Sequence, residues 1–221
     1  MRAVALLLAA GRGERLAGDR PKAFLELGGR TLLEHAVAAV EACPDVEGHV
    51  VAAPEGWEET AERIGRRSGK HLVVVPGGAS RQASVRAALG AVPDGFDAVI
   101  CHDVARPLAS PKLFSAVLAP LDGADGAVPV LSVSDTVKRV AEGVVLETVP
   151  REDLALAQTP QAFRREALEA AHAHDTDEGT DDAVLLERAG FRVAVVAGER
   201  SNLKITVPED LRLALAVLDD G

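Results

Sequence analysis

The stretch VALLLAAGRGERLAGDRPKAFLELGGRTLLEHA, residues 4–36, decides the fold class. It begins with a run of aliphatic residues, turns at Gly11 and Gly13, and resumes an apolar pattern of helical spacing at Leu32. Four cations follow in quick succession from Gly11 to residue 22: Arg12, Arg15, Arg20 and Lys22. An apolar strand followed by a glycine turn and a helix predicts a βα unit of a buried parallel sheet.

The same alternation of short apolar runs and helix-period segments continues through the first 130 residues. Thr31 and Ser110 stand where helices should begin and are suitable N-caps, and Pro111 suits the first helical position. Strands without internal polar alternation fit burial on both faces. The sequence therefore predicts one three-layer α/β domain, residues 1–221, with a Rossmann-like, mostly parallel sheet.

Residues 131–150, LSVSDTVKRVAEGVVLETVP, break this alternation. They read as two strands around Glu142 and Gly143, which predicts a β-hairpin. A lone hairpin is marginally stable in water, so this one should pack against the rest of the chain or against a second subunit. We expect residues 131–152 to form a projecting arm.

Composition limits the possible partners and location. The 221 residues carry a formal net charge of −10, which argues against a nucleic-acid or anionic membrane surface. The apolar run at the start is too short to span a bilayer, and arginines follow it instead of a cleavage site, so neither a membrane span nor a signal peptide is expected. Cys43 and Cys101 lack CxxC spacing, which favours a reducing, cytoplasmic setting.

The glycine turn at residues 9–13 has three interpretations. A P-loop would need GxxxxGK[ST], which is absent, and a dinucleotide turn would need a third glycine where Arg15 and Leu16 stand. A plain structural turn with solvated arginines remains possible. The spacing of the cations favours a phosphate site, because Pro21 fixes the backbone just before Lys22 and small residues let N–H groups approach oxyanions.

Further motifs follow the opening stretch in order. They are GGASRQASV (77–85), HDVARP (102–107), DTVKRV (135–140), QTPQAF (158–163), TDDA (180–183) and NLKIT (202–206). The opening stretch resembles sugar-phosphate nucleotidyltransferases in general. The ordered set resembles the 2-C-methyl-D-erythritol 4-phosphate cytidylyltransferase family of non-mevalonate isoprenoid biosynthesis, over nearly the whole chain.

This resemblance implies transfer of a cytidylyl group from CTP to a sugar-alcohol phosphate, with release of pyrophosphate. It implies that Arg15 and Lys22 are the catalytic cations and that Asp103 holds Mg²⁺ on the triphosphate. The residues implied to bind the nucleotide are Ala9, Ala10, Gly11, Gly13, Gly78 and Ser84.

By the same resemblance, a second set of residues binds methylerythritol phosphate: Arg106, Thr136, Arg151, Thr159, Thr180 and Lys204. The family forms a homodimer through the arm, so that Thr136, Arg151 and Thr159 would serve the neighbouring subunit's site. Three alternatives remain: a ribitol 5-phosphate cytidylyltransferase, a non-catalytic nucleotide-binding homologue, and a nicotinamide oxidoreductase, which the missing third glycine disfavours.

Overall fold

The computed structural model describes residues 1–11, 20–174 and 179–219. The strands are β1 (Ala3–Leu8), β2 (Glu26–Leu27), β3 (Arg30–Thr31), β4 (Val46–Ala53), β5 (His71–Pro76), β6 (Ala98–Asp103), β7 (Gly126–Ser132), β8 (Val137–Ala141), β9 (Val144–Val149), β10 (Ala155–Ala157), β11 (Gln161–Arg164) and β12 (Val193–Ala197). The α-helices are α1 (Leu32–Ala42), α2 (Glu58–Gly65), α3 (Arg81–Gly90), α4 (Pro111–Leu118), α5 (Arg165–His174), α6 (Ala183–Arg188) and α7 (Pro208–Asp219). In this part of the chain, no helix is long and apolar enough to cross a bilayer.

Eight strands form one sheet in the order β10-β7-β11-β6-β1-β4-β5, with β12 pairing to β7. The pairs β1–β4, β1–β6, β4–β5 and β7–β12 are parallel. Strand β11 lies antiparallel to both β6 and β7, and β10 is antiparallel to β7. The sheet is therefore parallel on the side of β1 and mixed around β7 and β11.

Helices cover both faces of this sheet, as the side chains of β1 show. Ala5 and Leu7 pack into the cluster under α1, α2, α4 and α7, whereas Val4 and Leu6 pack into the cluster under α3, α5 and α6. This period of two places every β1 side chain in a core, which explains why the strand reads as continuously apolar. The predicted three-layer α/β fold is confirmed.

Strands β8 and β9 form a separate two-stranded sheet. Glu142 and Gly143 at its turn both have positive φ angles, 50° and 78°. Two successive left-handed residues are the signature of the turn that matches hairpin twist, which is why glycine serves at the second position. The predicted hairpin is confirmed over residues 137–149, and nearly every residue of its two strands is exposed. The predicted arm begins too early, because Leu131 and Ser132 end β7 in the main sheet.

Two helix starts follow their predicted caps. Thr31 accepts a hydrogen bond from the N–H of Glu34, and the Glu34 carboxylate accepts one from the N–H of Thr31 at 2.8 Å. Ser110 accepts a hydrogen bond from the N–H of Leu113, with Pro111 at the first helical position. Each capping side chain satisfies an N–H that a helix start leaves without a partner.

Candidate active site

A cavity of about 630 Å³ opens at the carboxyl ends of the parallel strands. Leu8 ends β1 beside Ala52 of β4 and Asp103 of β6, so the loops that follow these strands meet at one edge of the sheet. The cavity is lined by residues 8–11, 22–23, 78–81, 84, 103–105, 204 and 206. It lies where open α/β sheets bind their ligands.

Backbone contacts join the loops around the cavity. The N–H of Ala9 donates to the carbonyl of Ala52 at 3.0 Å, and the N–H of Gly77 donates to the carbonyl of Ala53 at 2.7 Å. These bonds bring Gly77 against Ala10, with no room for a side chain on the glycine. The loops after β1 and β5 therefore form one wall made largely of backbone and small side chains.

The Ser84 side chain fixes the glycine turn that opens α3. Its hydroxyl accepts from the N–H of Gly78 at 3.1 Å and donates to the carbonyl of Ser80 at 2.9 Å. Ser80 in turn caps α3 by accepting from the N–H of Ala83. Ser84 therefore shapes the cavity wall through its hydroxyl, while its predicted contact with a nucleotide base stays a prediction.

Asp103 ends β6 with both carboxylate oxygens occupied. Oδ1 accepts from Nε of Arg81 at 3.0 Å, and Oδ2 accepts from Nζ of Lys204 at 2.8 Å. Burial raises the pKa of the Asp103 carboxyl, but Arg81 and Lys204 outweigh burial and hold that pKa well below its usual range. The carboxylate is therefore ionised at neutral pH and faces two fixed cations.

Arg81 also reaches a second carboxylate. Its Nη2 lies 2.8 Å from Oδ2 of Asp182, which is 1% exposed, although the N–H does not point at that oxygen well enough for a hydrogen bond, and the contact is an ion pair. Burial lowers the pKa of Arg81, but Asp182 and Asp103 outweigh burial and raise it. Arg81 therefore stays charged between two acids.

Eight of the predicted site residues line this one cavity: Ala9, Ala10, Gly11, Lys22, Gly78, Ser84, Asp103 and Lys204. They come from separate parts of the sequence, and the fold brings them together. Their individual roles stay predictions. Arg15 and Gly13 lie outside the described residues.

Two of the predicted acceptor-binding residues lie just beside the cavity. Arg106 donates from Nη1 to the carbonyl of Asn202 at 2.9 Å. Thr159 is buried, and its hydroxyl accepts from the N–H of Asp103 at 3.0 Å. Thr159 thus supports Asp103 of its own chain, which differs from the expectation that it serves a neighbouring subunit, because it precedes β11 in the sheet and is not part of the hairpin.

The remaining acceptor-binding predictions fall on exposed positions. Thr136 and Arg151 flank the hairpin, and Arg151 donates to the carbonyl of Ser134. Thr180 is exposed ahead of α6. None of these three side chains lines the cavity of its own chain.

Arg81 is the charged residue lining the cavity, among the described residues, that sequence reasoning missed. It stands in the quoted GGASRQASV motif, yet its partners Asp103 and Asp182 lie 22 and 101 residues away. One local signal was present: a cation in the first turn of a helix opposes the helix dipole. Such a residue indicates that acidic partners come from elsewhere in the fold.

The side chains that line the cavity show whether the expected magnesium ion could bind there. Among the described residues, no group of three or more His, Cys, Asp or Glu could hold a metal ion, and Asp103 is the acidic residue that lines the cavity. Mg²⁺ can bind through a single carboxylate when phosphates and water supply its other ligands. Asp103 fits this role, because each of its oxygens keeps a lone pair beyond the one that accepts from Arg81 or Lys204.

These features define a class of protein. Backbone N–H groups, the start of α3 and the side chains of Lys22, Arg81 and Lys204 surround one cavity at the sheet edge. This environment suits the phosphates of a nucleotide and of a second, phosphorylated substrate. With the layered α/β fold, it describes a nucleotidyltransferase.

The sequence model of the 2-C-methyl-D-erythritol 4-phosphate cytidylyltransferase family matches residues 3–220, and the chain belongs to this family. Enzymes of that name from Frankia casuarinae and Rhodococcus opacus are 45% and 44% identical to it. These matches cover 98% and 99% of this chain and 81% and 96% of the relatives. The predicted family is confirmed, and the ribitol 5-phosphate alternative is not favoured.

Solved structures agree with this assignment. The crystal structure of 2-C-methyl-D-erythritol 4-phosphate cytidylyltransferase from Thermus thermophilus superposes with a TM-score of 0.82 at 40% identity, over 99% of this chain and 100% of that one. The 4-diphosphocytidyl-2C-methyl-D-erythritol synthase of Anaerococcus prevotii gives a TM-score of 0.87 at 29% identity, over 99% and 98% of the two chains.

Proposed function

We propose that this chain transfers the cytidylyl group of CTP to 2-C-methyl-D-erythritol 4-phosphate in non-mevalonate isoprenoid biosynthesis. A phosphate oxygen of the acceptor attacks the α-phosphorus of CTP, and the bond from that phosphorus to the bridging oxygen of the β-phosphate breaks. The products are 4-diphosphocytidyl-2-C-methyl-D-erythritol and pyrophosphate. The observation that carries this proposal is the joint lining of one cavity by Lys22, Asp103 and Lys204, in a chain of this family.

Lys22 is the described cation that we assign to the triphosphate. Pro21 precedes it with φ at −59°, and the N–H of Phe24 donates to the Pro21 carbonyl at 2.9 Å. Phe24 is buried and stacks on Trp57, with 4.5 Å between ring centroids. Lys22 therefore sits on a rigid mount, where a cation can stabilise the charge that grows on phosphate oxygens during transfer. The family resemblance gives Arg15 the same role.

Magnesium is the cofactor that we propose for this cavity, with Asp103 as its protein ligand. When bound, the ion would neutralise charge on the phosphates of CTP. Arg81 and Lys204 hold the carboxylate oxygens in place, so the chain would present a fixed, ionised ligand. Chelation of the divalent ion is expected to abolish turnover, and added Mg²⁺ is expected to restore it.

The exposed hairpin supports a homodimer. Its apolar side chains Val140, Val144, Val145 and Leu146 are 55–62% exposed, and Leu156 of β10 is 57% exposed. A hairpin with so much apolar surface needs a partner. We propose that a second copy of the chain covers it, which would bring Thr136 and Arg151 to the partner's cavity.

Mixing two inactive variants tests this arrangement. Lys22→Ala subunits carry an intact arm, and Arg151→Ala subunits carry an intact cavity. If the arm acts on the neighbouring subunit, each mixed dimer contains one working site out of two. With equal amounts of the two variants about half of the dimers are mixed after subunit exchange, so about a quarter of the wild-type activity should return. An inactive mixture in which mixed dimers have formed would show that the arm serves its own chain.

A cytoplasmic location is part of the proposal. Cys43 and Cys101 are both buried and unpaired. Neither cysteine forms a disulfide bond, as expected of a chain that works in a reducing compartment. Fractionation of cells that express the protein tests this point, and recovery from the cell envelope would contradict it.

Release of pyrophosphate tests the proposed reaction directly. We expect release from CTP and Mg²⁺ with methylerythritol 4-phosphate and little with ribitol 5-phosphate at equal concentration. Lys22→Ala should keep the fold and lower the rate by about 10²–10³-fold, the usual scale for one preorganised contact in the transition state. Lys112→Ala, an exposed lysine at the start of α4, is the matched control. If neither acceptor gives pyrophosphate release, the alternative of a non-catalytic nucleotide-binding homologue is favoured.

A further inference from the structure

Four side chains of alternating charge lead from the protein interior to the cavity. Asp182 precedes α6 and is fully buried, Arg81 opens α3, Asp103 ends β6, and Lys204 precedes α7. The successive contacts are 2.8 Å from Asp182 to Arg81, 3.0 Å from Arg81 to Asp103 and 2.8 Å from Asp103 to Lys204. Four separate segments of the chain are thus joined by one line of ion pairs.

The guanidinium of Arg81 is used as a fork. Its Nε donates to Asp103 and its Nη2 forms an ion pair with Asp182, so the two acids hold the group from two sides. A planar guanidinium can hold two carboxylates at a set angle, whereas the single nitrogen of a lysine cannot. The buried Asp182 also offsets the cost of placing a cation in the first turn of α3.

The line ends on an exposed cation. The Lys204 side chain is 43% exposed and could adopt many rotamers, but its Nζ is held 2.8 Å from Oδ2 of Asp103. Asp103 is held in turn by Arg81 at its other oxygen. The position of the Lys204 ammonium in the cavity therefore depends on two residues that stand behind it.

We propose that Arg81, anchored by Asp182, is a positioning residue that sets the Asp103 carboxylate and, through it, the Lys204 ammonium against the phosphate of the acceptor. This inference rests on the proposed cytidylyl transfer. The Arg81–Asp182 ion pair thereby determines the conformation of the acceptor side of the cavity without touching the acceptor. Loss of the Arg81 fork should impair use of the acceptor more than binding of CTP.

Kinetics of Arg81→Lys and Asp182→Asn test the proposal. We expect kcat/KM for the acceptor to fall by about 10–100-fold, as when groups behind a ligand are removed. At saturating Mg²⁺, KM for CTP should change by less than about threefold, because Asp103 keeps its charge and the phosphates and water supply the other ligands of the ion. Arg86→Lys, an exposed position on the same helix, is the control and should leave both values unchanged. Equal losses for both substrates, or none, would overturn the proposal.

A double-mutant cycle with Lys204→Met separates positioning from a general structural role. If Arg81 acts through Asp103 and Lys204, the penalty of Arg81→Lys should shrink to within about threefold in the Lys204→Met background. A penalty that persists in full would mean that Arg81 acts by another route. Variants that lose cooperative thermal unfolding would show that these pairs hold the fold instead of the cavity, which also contradicts the proposal.

A crystal structure of Arg81→Lys gives a readout that does not need turnover. We expect the Asp103 carboxylate to rotate and its contact with Lys204 to break, in an otherwise unchanged fold. An unchanged Asp103–Lys204 contact would overturn the positioning role even if the Arg81→Lys enzyme is impaired. If the wild-type protein releases no pyrophosphate, the proposed function fails, and this structure still decides whether Arg81 sets Lys204.

Discussion

Gly77 lies directly against Ala10: a Cβ added to Gly77 would fall 2.1 Å from the Cβ of Ala10 and 3.2 Å from the hydroxyl of Ser84. The N–H of Gly77 is also bonded to the carbonyl of Ala53 at 2.7 Å, so the glycine cannot shift away. The loops after β1 and β5 are thereby packed backbone to backbone. Both loops carry predicted nucleotide contacts, so the width of the nucleotide side of the cavity depends on this one glycine.

Gly77→Ala should therefore force the two loops apart. We expect KM for CTP to rise by about tenfold and the protein to lose about 1–3 kcal/mol of stability, the usual cost of overpacking. Gly90→Ala is the matched control, because an added Cβ at the end of α3 meets open space and alanine favours the helix. Steady-state kinetics and urea unfolding measure both effects. A Gly77→Ala enzyme with unchanged KM would show that the loops can separate without consequence.

Lys70 joins the end of α1 to the sheet. Its Nζ donates to the carbonyls of Val40, Cys43 and Val46 at 2.7, 2.5 and 2.6 Å. A cation stabilises the carbonyls that a helix end leaves without partners. Lys70→Met keeps most of the side-chain length and removes these bonds, so we expect a loss of about 2 kcal/mol in the free energy of unfolding. Lys112→Met, on the exposed face of α4, should change stability little in the same urea titration.

Local patterns in the sequence predicted much of the fold. The caps at Thr31 and Ser110 and the turn at Glu142–Gly143 are confirmed, because each depends on side chains within a few residues of the feature. The apolar runs predicted the parallel part of the sheet for the same reason. Strand β11 was not assigned, because its antiparallel pairing with β6 and β7 depends on residues far away in the chain.

The candidate site shows the same limit. The ordered motifs predicted the residues of the cavity, and the fold brings eight of them together. No motif indicated that Asp103 would be paired on both sides, since Arg81 and Lys204 are 22 and 101 residues from it. The position of Thr159 behind Asp103 likewise follows from the pairing of β11 in the sheet and not from its neighbours in sequence.

His49 should make the protein sensitive to acid. It is fully buried on β4, and neither ring nitrogen has a hydrogen-bond partner among the described residues. Burial, with a smaller contribution from the Lys70 ammonium, lowers the pKa of His49 from 6.5 to about 4. Between these two pH values the unfolded chain binds a proton that the folded chain excludes, so stability falls as the pH drops from 6.5 towards 4.

Replacement of this histidine by an apolar side chain should reduce that loss. We expect the stability difference between pH 7 and pH 5 to be about 1–2 kcal/mol smaller in His49→Met than in the wild-type protein. The reason is that unfolding of the variant no longer takes up a proton at this position. His102 has a pKa lowered to about 4 by burial and contributes with the same sign in both proteins. His71→Gln, at an exposed position, is the control. Parallel urea titrations at the two pH values give the comparison, and equal losses in His49→Met and wild type would contradict it.

Asn202 supports the segment that carries Lys204. It is fully buried, and its Nδ2 donates to the carbonyl of Thr159 at 2.9 Å and to Oε1 of Gln158 at 3.4 Å. Asn202→Asp keeps the shape of the side chain but turns this donor into an acceptor, which would face two oxygens in the interior. An unpaired buried charge of this kind costs about 3–5 kcal/mol.

We therefore expect Asn202→Asp to lose stability on that scale, and the loss to ease as the pH falls and the new carboxyl takes up a proton. Use of the acceptor should also suffer, because Lys204 follows two residues later and Arg106 donates to the Asn202 carbonyl. Ser201→Asp places the same charge one residue earlier on an exposed position and should change neither property. Thermal unfolding at pH 7 and pH 5, with acceptor kinetics at pH 7, tests both expectations. If Asn202→Asp and Ser201→Asp behave alike, added negative charge near the cavity causes the effect, and the buried Asn202 amide is not needed to hold Lys204.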